Sequence, residues 1–278
     1  MPPIPLNGRV VAITGSTGGL GSALARALRE RGALLALLDL DAAATSAQAA
    51  ELGGAGVAHG WAADVRDDSA LENAMAAAAG HFGRLDVVVA NAGIDVLAPM
   101  MGTDPVAFER VVDVNLTGVW RTFRAALPYV QAQRGYLMAI SSMAAFVHSP
   151  MQASYAASKA GVLAMANSIR LEVRHLGVEV GTVHPTFFKT AMGAGLLTHP
   201  AGRILWGGGE RGLFKTVTQQ QVVDGIVGGI ERRAQLVTVP RSGLAVAKAP
   251  GLLRPLIERV GFRGDVIERA LAAADPAS

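Results

Sequence analysis

The stretch SYAASKAG at residues 154–161 places a phenol and an ammonium group four residues apart among small side chains. On a helix this spacing puts Tyr155 and Lys159 on one face, one above the other. A nearby positive charge favours the phenolate and lowers the pKa of a tyrosine from its ordinary value of about 10. The pair could therefore transfer a proton to or from a bound molecule. The alternative is that the two side chains form an ordinary contact on a solvated surface. The rest of the sequence is needed to distinguish a reactive site from such a surface.

Composition restricts the class of protein. Hydrophobic residues make up 51% of the 278 and charged residues 17%, which excludes a disordered chain and allows one α/β domain with a sizeable core. The net charge is only +3 and no run of basic residues forms a stripe, so a nucleic-acid partner is not expected. The absence of cysteine excludes disulfides and thiolate metal sites. The histidines are scattered without ligand spacing, so no metal is expected either.

Short apolar runs alternate with longer helical patterns, which predicts βαβ units and a parallel sheet. The predicted strands are 9–14, 34–39, 56–61, 86–91, 135–141, 177–184 and 235–240. The predicted helices are 19–31, 41–52, 67–82, 104–132, 152–176 and 217–233, and Asp104 before Pro105 is a good helix start. We therefore expect an α/β fold, a single Rossmann-type doubly wound domain with a seven-stranded parallel sheet flanked by helices.

A glycine-rich segment, TGSTGGLG at 14–21, joins the first strand to the first helix. Gly15, Gly19 and Gly21 remove side chains where the backbone must approach a ligand and where the helix must pack on the sheet. The helix N-terminus offers free N–H groups to a pyrophosphate. Glycines also serve ordinary turns, but the position between strand and helix favours a dinucleotide site.

Asp39 ends the second strand, eighteen residues beyond Gly21. A carboxylate there can accept both hydroxyls of an adenosine ribose and repels a 2′-phosphate. Positions 18 and 40 are Gly18 and Leu40, so neither offers a cation for that phosphate. These residues favour NAD over NADP as the cofactor. The alternative is that Asp39 caps the helix beginning near Asp41.

With TGSTGGLG, NAG at 91–93 and YAASK at 155–159 in order, the chain resembles the short-chain dehydrogenase/reductase family, in its TGxxxGxG branch. The resemblance covers about residues 7–192 and the helix and strand up to 240. It implies a catalytic tetrad of Asn115, Ser142, Tyr155 and Lys159. In this set Tyr155 would be the general acid or base, Ser142 would hold the substrate oxygen, and Asn115 would order a water next to Lys159.

The resemblance also implies contacts along the cofactor. Asp64, beside Val65, is similar to the aspartate that contacts adenine, and Thr190 to the residue that holds the nicotinamide carboxamide. The full predicted cofactor-binding set is Gly15, Thr17, Gly19, Leu20, Gly21, Asp39, Leu40, Asp64, Val65, Asn91, Ala92, Gly93, Tyr155, Lys159, Pro185, Phe188 and Thr190. One position departs from the family, because Thr186 stands where a glycine usually follows Pro185. We expect a differently shaped loop there, since threonine avoids positive φ.

The substrate site is expected beside the tetrad. Its predicted residues are Ser142, His148, Gln152, Tyr155, Leu196 and Trp206, within a roomy apolar cavity that also draws on Phe146, Val147, Met151, Leu197, Leu205 and Phe214. His148 and Gln152 could orient a second polar group or face solvent. These residues predict a bulky hydrophobic alcohol or ketone, such as a steroid, terpenoid or lipid-derived molecule. A lid that packs on its own core is the equally weighted alternative for Leu196–Phe214.

The predicted domain plan is a catalytic domain at 1–240, including a flexible substrate loop at 192–216, and an extension at 241–278 that packs on the domain or on an oligomer partner. Membrane contact by the basic, amphipathic LLRPLIERV in this extension is an unfavoured alternative. The resemblance implies a homodimer or homotetramer. No secretory signal and no apolar run of about 20 residues is present, so we expect a cytoplasmic protein.

The sequence thus predicts an NAD-dependent dehydrogenase or ketoreductase that uses Tyr155 for proton transfer. A non-catalytic NAD-binding sensor or scaffold is the alternative from another class, and an intact tetrad argues against it. A related enzymatic alternative is an epimerase or a dehydratase, because the resemblance implies that such enzymes use the same Tyr–Lys pair. The three-residue gap between Gly15 and Gly19 fits the dehydrogenase branch better.

Overall fold

The structure, a computed structural model, describes residues 3–188, 191–207 and 216–274, with only the helical backbone described for 191–194. Its strands are β1 (Val10–Thr14), β2 (Leu34–Asp39), β3 (Ala58–Ala62), β4 (Val87–Ala90), β5 (Tyr136–Ile140), β6 (Glu179–Pro185) and β7 (Leu236–Val239). They form one sheet in the order β3-β2-β1-β4-β5-β6-β7, and every pairing is parallel. The predicted α/β fold with a seven-stranded parallel sheet is confirmed.

The strands are continuous apolar runs because both faces of the sheet are covered. Alternate side chains of β1 enter different cores: Val11 and Ile13 pack in one cluster, and Val10 and Ala12 in the other. All five residues of β1 are buried. Covering both faces leaves only the strand ends open to a ligand.

Helices fill both faces and extend beyond the last strand. They are α1 (Gly19–Glu30), α2 (Ala42–Glu51), α3 (Asp68–Phe82), α4 (Pro105–Val112), α5 (Gly118–Ala132), α6 (Ala153–Val173), α7 (Ala191–Thr198), α8 (Pro200–Trp206), α9 (Gln219–Glu231), α10 (Gly243–Lys248), α11 (Pro250–Gly261) and α12 (Val266–Ala272). In the part of the chain that the structure describes, none of them combines the length and apolar character that crossing a membrane would need.

The predicted single helix at 104–132 is wrong in one respect. Asp104 caps α4 as expected, with its carboxylate accepting from the Val106 N–H, but a π-helical segment at Asp113–Thr117 separates α4 from α5. A π turn carries one extra residue and is frequently found at functional sites. Here the widened turn contains Asn115.

Residues 192–206 of the predicted flexible loop at 192–216 form α7 and α8, with only His199 between the two helices. Pro200 at the first position and the His199 side chain, which accepts from the Ala201 N–H, start α8. Gly207 ends it in the left-handed conformation. Trp206 is almost fully buried, in a cluster with Leu205 and with Ala270 of α12. The C-terminal extension therefore packs on α8, and residues 208–215, with the predicted Phe214, lie outside the described residues.

Candidate active site

One cavity of about 910 Å³ opens at the carboxyl ends of the strands. The chain order reverses between β1 and β4, which are neighbours in the sheet although β2 and β3 lie between them in sequence. In doubly wound sheets ligands bind in the crevice at this switch point. The fold alone therefore indicates where a dinucleotide and its partner would meet.

Nearly all of the predicted site residues lie on this cavity. They are Gly15, Thr17, Gly19, Leu20, Gly21, Asp39, Leu40, Asp64, Val65, Asn91, Ala92, Gly93, Ser142, His148, Gln152, Tyr155, Lys159, Pro185, Phe188, Leu196 and Trp206. Asn115 does not line the cavity and lies behind Gly93. Thr190 is outside the described residues. The structure thus brings segments from six strand ends to one place.

The glycine segment has the conformation of a phosphate cradle. Gly15 adopts a φ of +64°, and the Asn91 side-chain amide donates to its carbonyl at 3.0 Å. Gly18 precedes α1 without any side-chain cap, so the first N–H groups of the helix point toward the cavity without a competing acceptor from that residue. Such a helix start favours an anion.

Gly21 allows α1 to lie against the turn. A Cβ atom at this position would be 2.1 Å from the Gly15 carbonyl oxygen and 2.9 Å from the Ser16 Cα, and both are backbone atoms that cannot yield cheaply.

We expect Gly21→Ala to lower the free energy of unfolding by about 1–3 kcal/mol and to weaken NAD binding at least tenfold. Calorimetric titration with NAD measures this. Gly80→Ala in α3, where a Cβ meets nothing within 4 Å, is the control, and equal NAD affinity in both variants would contradict the cradle.

Asp39 lies at the far end of the cradle. Its carboxylate accepts from the Thr17 backbone N–H at 3.0 Å and from the Leu40 N–H at 2.8 Å, and it also binds the Thr17 hydroxyl. The helix cap that the alternative interpretation assigned to Asp39 is made by Asp41, which accepts from two N–H groups of α2. Asp39 is therefore oriented by the glycine turn, with its carboxylate on the cavity.

Asp64 is held by a neighbouring arginine. Arg66 forms a bidentate pair with it, with Arg66 Nη2 at 2.6 Å from Asp64 Oδ2. The hydrogen bonds from Arg66 hold the pKa of Asp64 below its usual range, although partial burial acts the other way. The carboxylate is therefore ionised, and Arg66 is an additional cation on the cavity wall that the sequence interpretation did not include.

Tyr155 and Lys159 share one face of α6, as the spacing predicts. The Lys159 Nζ lies 5.5 Å from the centre of the Tyr155 ring and donates to the Ile140 carbonyl at 2.9 Å. Burial lowers the pKa of Lys159 to about 8, and the charge of Asp95 opposes that shift. Lys159 is thus a buried amine next to the phenol and not a solvated surface lysine.

The pKa of Tyr155 differs from the sequence-based expectation. Burial raises it above 10, the charge of Asp95 raises it further, and the Ser142 side chain acts in the opposite direction. The lowering expected from Lys159 is not among the effects that act on Tyr155, and burial is the largest of those effects. In the protein alone the phenol is therefore protonated at neutral pH.

The Asn115 side chain ties the π turn to the residue that follows the NAG segment. The amide oxygen accepts from the Ile94 N–H and the amide nitrogen donates to the Ile94 carbonyl, both at 2.8 Å. A Cβ on Gly93 would lie 3.3 Å from Asn115 Oδ1 and 3.5 Å from Lys159 Nζ. Asn115 therefore clamps the NAG segment and packs close to the lysine.

Ser142 is positioned by a buried histidine that the sequence interpretation missed. His184 Nδ1 lies 3.0 Å from the Ser142 carbonyl, so that nitrogen carries the proton, and Nε2 accepts from the Thr182 hydroxyl at 2.8 Å. Burial lowers the pKa of His184 to about 4, so the ring stays neutral. No short sequence motif could have indicated His184, because the residue that it contacts, Ser142, lies 42 positions away in the sequence.

The predicted substrate residues have specific partners. Trp206 Nε1 donates to the Ser149 hydroxyl at 2.9 Å. Glu258 of α11 accepts from the His148 backbone N–H at 3.0 Å. Two further C-terminal side chains, Val246 and Ile257, line the cavity. The extension after β7 thus contributes an apolar wall that the sequence interpretation did not place at the site.

Other apolar residues predicted for the cavity are part of the protein core. Phe146, Met151 and Leu205 are buried and do not line the cavity, and Leu197 packs beside Trp206. Their side chains are taken up by neighbours: the Phe146 ring, for example, lies 4.7 Å from that of His184. Met143, Phe187 and Phe188 line the cavity together with the predicted Val147 and Leu196.

Asp95 is a second missed residue, two positions after the NAG segment. Its Oδ2 accepts from Gln152 Nε2 at 2.6 Å and its Oδ1 from the Val96 N–H at 2.7 Å. Burial raises the pKa of Asp95 to about 7, against the lowering effects of these two hydrogen bonds. An acidic residue directly after a motif at the carboxyl end of a strand is the sequence signal that could have indicated it.

The shifted pKa makes stability depend on pH. Between pH 4 and pH 7 the folded protein keeps a proton on Asp95 that the unfolded chain, with an ordinary value of 3.8, releases. Stability is therefore lost as the pH rises through this window. We expect Asp95→Asn to be more stable than the wild type at pH 8, by roughly 2–4 kcal/mol, and about equally stable at pH 4. Denaturant unfolding at both pH values measures this, and a difference independent of pH would contradict it.

The residues present fit a nicotinamide dinucleotide. The cradle at Gly15 and Gly21 has no room for a Cβ, the start of α1 offers N–H groups, and Asp39 presents a carboxylate where a ribose would follow. Thr186 keeps an ordinary backbone and its N–H donates to the Val239 carbonyl at 2.8 Å. The loop after β6 is therefore anchored to β7 without the usual glycine.

Comparisons with known proteins agree with this geometry. The family model described as short chain dehydrogenase matches residues 9–200. The chain is 35% identical over 202 residues to D-threitol dehydrogenase of Mycolicibacterium smegmatis, covering 72% of this chain and 78% of that protein. It is 34% identical over 203 residues to an uncharacterized NAD-dependent oxidoreductase of Mycobacterium tuberculosis, covering 67% of this chain and 74% of that protein. The solved structure of gox2181 superposes with a TM-score of 0.77 at 26% identity, covering 85% of this chain and 96% of that one.

The match spans the cradle, the NAG segment and the Tyr–Lys pair, all of which lie on one cavity. The chain belongs to the short-chain dehydrogenase/reductase family and is an oxidoreductase of alcohol and carbonyl groups.

Proposed function

We propose that this protein is an NAD(H)-dependent dehydrogenase that interconverts a secondary alcohol and its ketone on a bulky, mainly apolar substrate. Tyr155 acts as the general acid or base. The observation that carries the proposal is that Tyr155, Ser142 and Lys159 line the same cavity as the glycine cradle. A binder without catalysis would have no use for a buried amine held against a phenol.

The cofactor assignment rests on Asp39. Gly15, Gly19 and the start of α1 would hold the pyrophosphate, and Asp39 would accept the hydroxyls of the adenosine ribose. The name of the Mycobacterium tuberculosis relative, an uncharacterized NAD-dependent oxidoreductase, points to the same cofactor. When bound, the nicotinamide supplies the acceptor or donor of a hydride.

The protein's own residues manage the proton. In alcohol oxidation Tyr155 takes the hydroxyl proton, and in ketone reduction it donates that proton to the carbonyl oxygen. The Ser142 hydroxyl holds the same oxygen in place. Lys159 adds positive charge beside the phenolate as it forms, which counteracts the burial that raises the pKa of Tyr155.

The apolar lining supports the substrate class. Met143, Val147, Phe187, Trp206 and Ile257 come from four different segments and line the same cavity as Ser142 and Tyr155. The volume of about 910 Å³ leaves room for a ring system besides a cofactor. A small charged hydroxy acid would leave most of this surface without a contact.

A spectrophotometric screen tests the proposal. Absorbance of the reduced nicotinamide is followed with NAD and with NADP on a hydroxysteroid, a cyclic terpene alcohol, cyclohexanol and small hydroxy acids. We expect turnover of the hydrophobic secondary alcohols with NAD. Turnover of the charged hydroxy acids alone would overturn the substrate class, and preference for NADP would overturn the cofactor assignment.

A further inference from the structure

The cavity contains a carboxyl group that the proposed proton transfer does not use. Asp95 lines the cavity with Tyr155 and Lys159, yet among the described residues no cation forms an ion pair with it. A buried carboxylate without such a partner is costly to keep. In a cleft with reactive groups it indicates a functional role.

A backbone hydrogen bond ties the segment that carries Asp95 to the residues just before Tyr155. The Ala98 N–H donates to the Met151 carbonyl at 3.0 Å, so the segment after NAG is tied to the residues before α6. Gln152 then bonds Asp95 three residues before Tyr155. The carboxyl and the phenol are close enough for the charge on Asp95 to act on Tyr155.

Asp95 and Gln152 can form more hydrogen bonds than the described residues provide. Each carboxylate oxygen can accept two hydrogen bonds, and each Asp95 oxygen receives one from the protein. The Gln152 side chain uses one N–H on Asp95, and among the described residues nothing donates to its Oε1. Both residues line the cavity, so the unused positions are available to a bound molecule.

The charges nearby restrict the ligand group. Above the pKa of Asp95, its carboxylate would repel an anionic group in direct contact, and the field of the buried Lys159, which reaches Asp95, would offset part of the attraction between that carboxylate and an ammonium group. A neutral hydroxyl meets neither penalty, and it can donate to Asp95 or to Gln152 Oε1 while accepting from the amide.

We propose that Asp95 and Gln152 bind a second hydroxyl of the substrate, so that the enzyme selects neutral diols or hydroxyketones over otherwise identical mono-alcohols. This rests on the proposed function and names the substrate class more narrowly: an apolar frame with two neighbouring oxygen functions. One oxygen is held by Ser142 and Tyr155, and the other by the Asp95–Gln152 pair.

The test compares cyclohexanol with the 1,2-, 1,3- and 1,4-cyclohexanediols at pH 8, above the pKa of about 7 of Asp95, so that its carboxyl group is mostly ionised. We expect the wild type to show a kcat/KM at least tenfold higher for one of the diols, since a hydrogen bond to a charged group is worth about 10- to 100-fold. In Asp95→Leu this ratio should fall to near one, and in Asp95→Asn to an intermediate value. Asp224→Leu and Asp224→Asn, at an exposed position on α9, are matched controls that should keep the wild-type ratio.

Asp95→Asn also keeps the shape of the site if the leucine variant fails to fold. It should raise kcat/KM for a hydroxycyclohexanecarboxylate relative to the diol, because the negative charge is gone. A wild-type ratio near one, or a diol preference that survives in both Asp95 variants, would overturn the inference while leaving the proposed function intact.

A measurement of diol binding distinguishes failure of this inference from failure of the proposed function. In a Tyr155→Phe background, calorimetry of the NAD-loaded protein should show tighter binding of the same diol than of cyclohexanol, and Asp95→Leu should abolish the difference. Equal binding overturns the inference even if no alcohol of the panel is oxidised. Absence of oxidation with diol-selective binding overturns the proposed function alone.

Discussion

Tyr155→Phe is expected to reduce kcat by about 10²–10⁴-fold, the usual contribution of a positioned general acid or base, and to leave NAD affinity within about threefold. The phenol reaches the cavity beside Ser142, whereas the cradle that would hold the cofactor lies at Gly15 and Gly21. Removing one oxygen therefore removes the proton acceptor without changing the phosphate site. Initial rates and calorimetric titration with NAD measure the two effects separately.

Tyr129→Phe is the matched control, because Tyr129 lies on α5 and does not line the cavity. It should keep wild-type rates. If Tyr155→Phe retained more than a tenth of the wild-type kcat, another group would have to move the proton. If both variants lost activity, the loss would reflect packing instead.

Asp39→Ala is expected to weaken NAD binding by about 10- to 100-fold, the range for hydrogen bonds to a charged group, and to leave NADP binding unchanged or improved. The carboxylate would accept the ribose hydroxyls of NAD and repel the additional phosphate of NADP. Titration of both cofactors gives the ratio directly. Asp39→Asn, which keeps an acceptor for the Thr17 N–H, shows how much of the effect is due to charge.

Asp41→Ala controls for the neighbouring helix. Asp41 caps α2, so this variant should lose about 1 kcal/mol of stability and keep the wild-type preference between cofactors. An equal loss of NAD and NADP in Asp39→Ala would remove the ribose assignment. The effect would then be attributed to disorder of the Thr17 turn that Asp39 holds.

The sheet could be predicted because its signal is local. The run LLALLD was expected at 34–39 and forms β2 at Leu34–Asp39, since continuous apolar runs bounded by turns are typical of buried parallel strands. The glycine segment and the Tyr–Lys pair are likewise short-range patterns. Their convergence on one cavity follows from the strand order.

The features that sequence reasoning missed depend on distant contacts. The helix pattern at 104–132 contains no glycine or proline at the Asp113–Thr117 π turn, which is stabilised by bonds from Asn115 to Ile94. The glycines near 192–207 suggested a flexible loop, but burial of Trp206 against the C-terminal helix stabilises α7 and α8. Asp95 belongs to no motif. Its position in the cavity could not be predicted, because it depends on a hydrogen bond from Gln152, 57 residues further along the chain.

In the proposed oxidation, a hydride would leave the carbinol carbon for the nicotinamide while Tyr155 takes the hydroxyl proton. The most direct measurement uses a hydrophobic secondary alcohol deuterated at that carbon, with NAD and the wild-type protein, followed by mass spectrometry of the cofactor. We expect the reduced cofactor to carry the deuterium, and we expect Tyr155→Phe to form little reduced cofactor. Reduced cofactor without the label, or no reduced cofactor with any alcohol of the panel, would contradict the proposed mechanism.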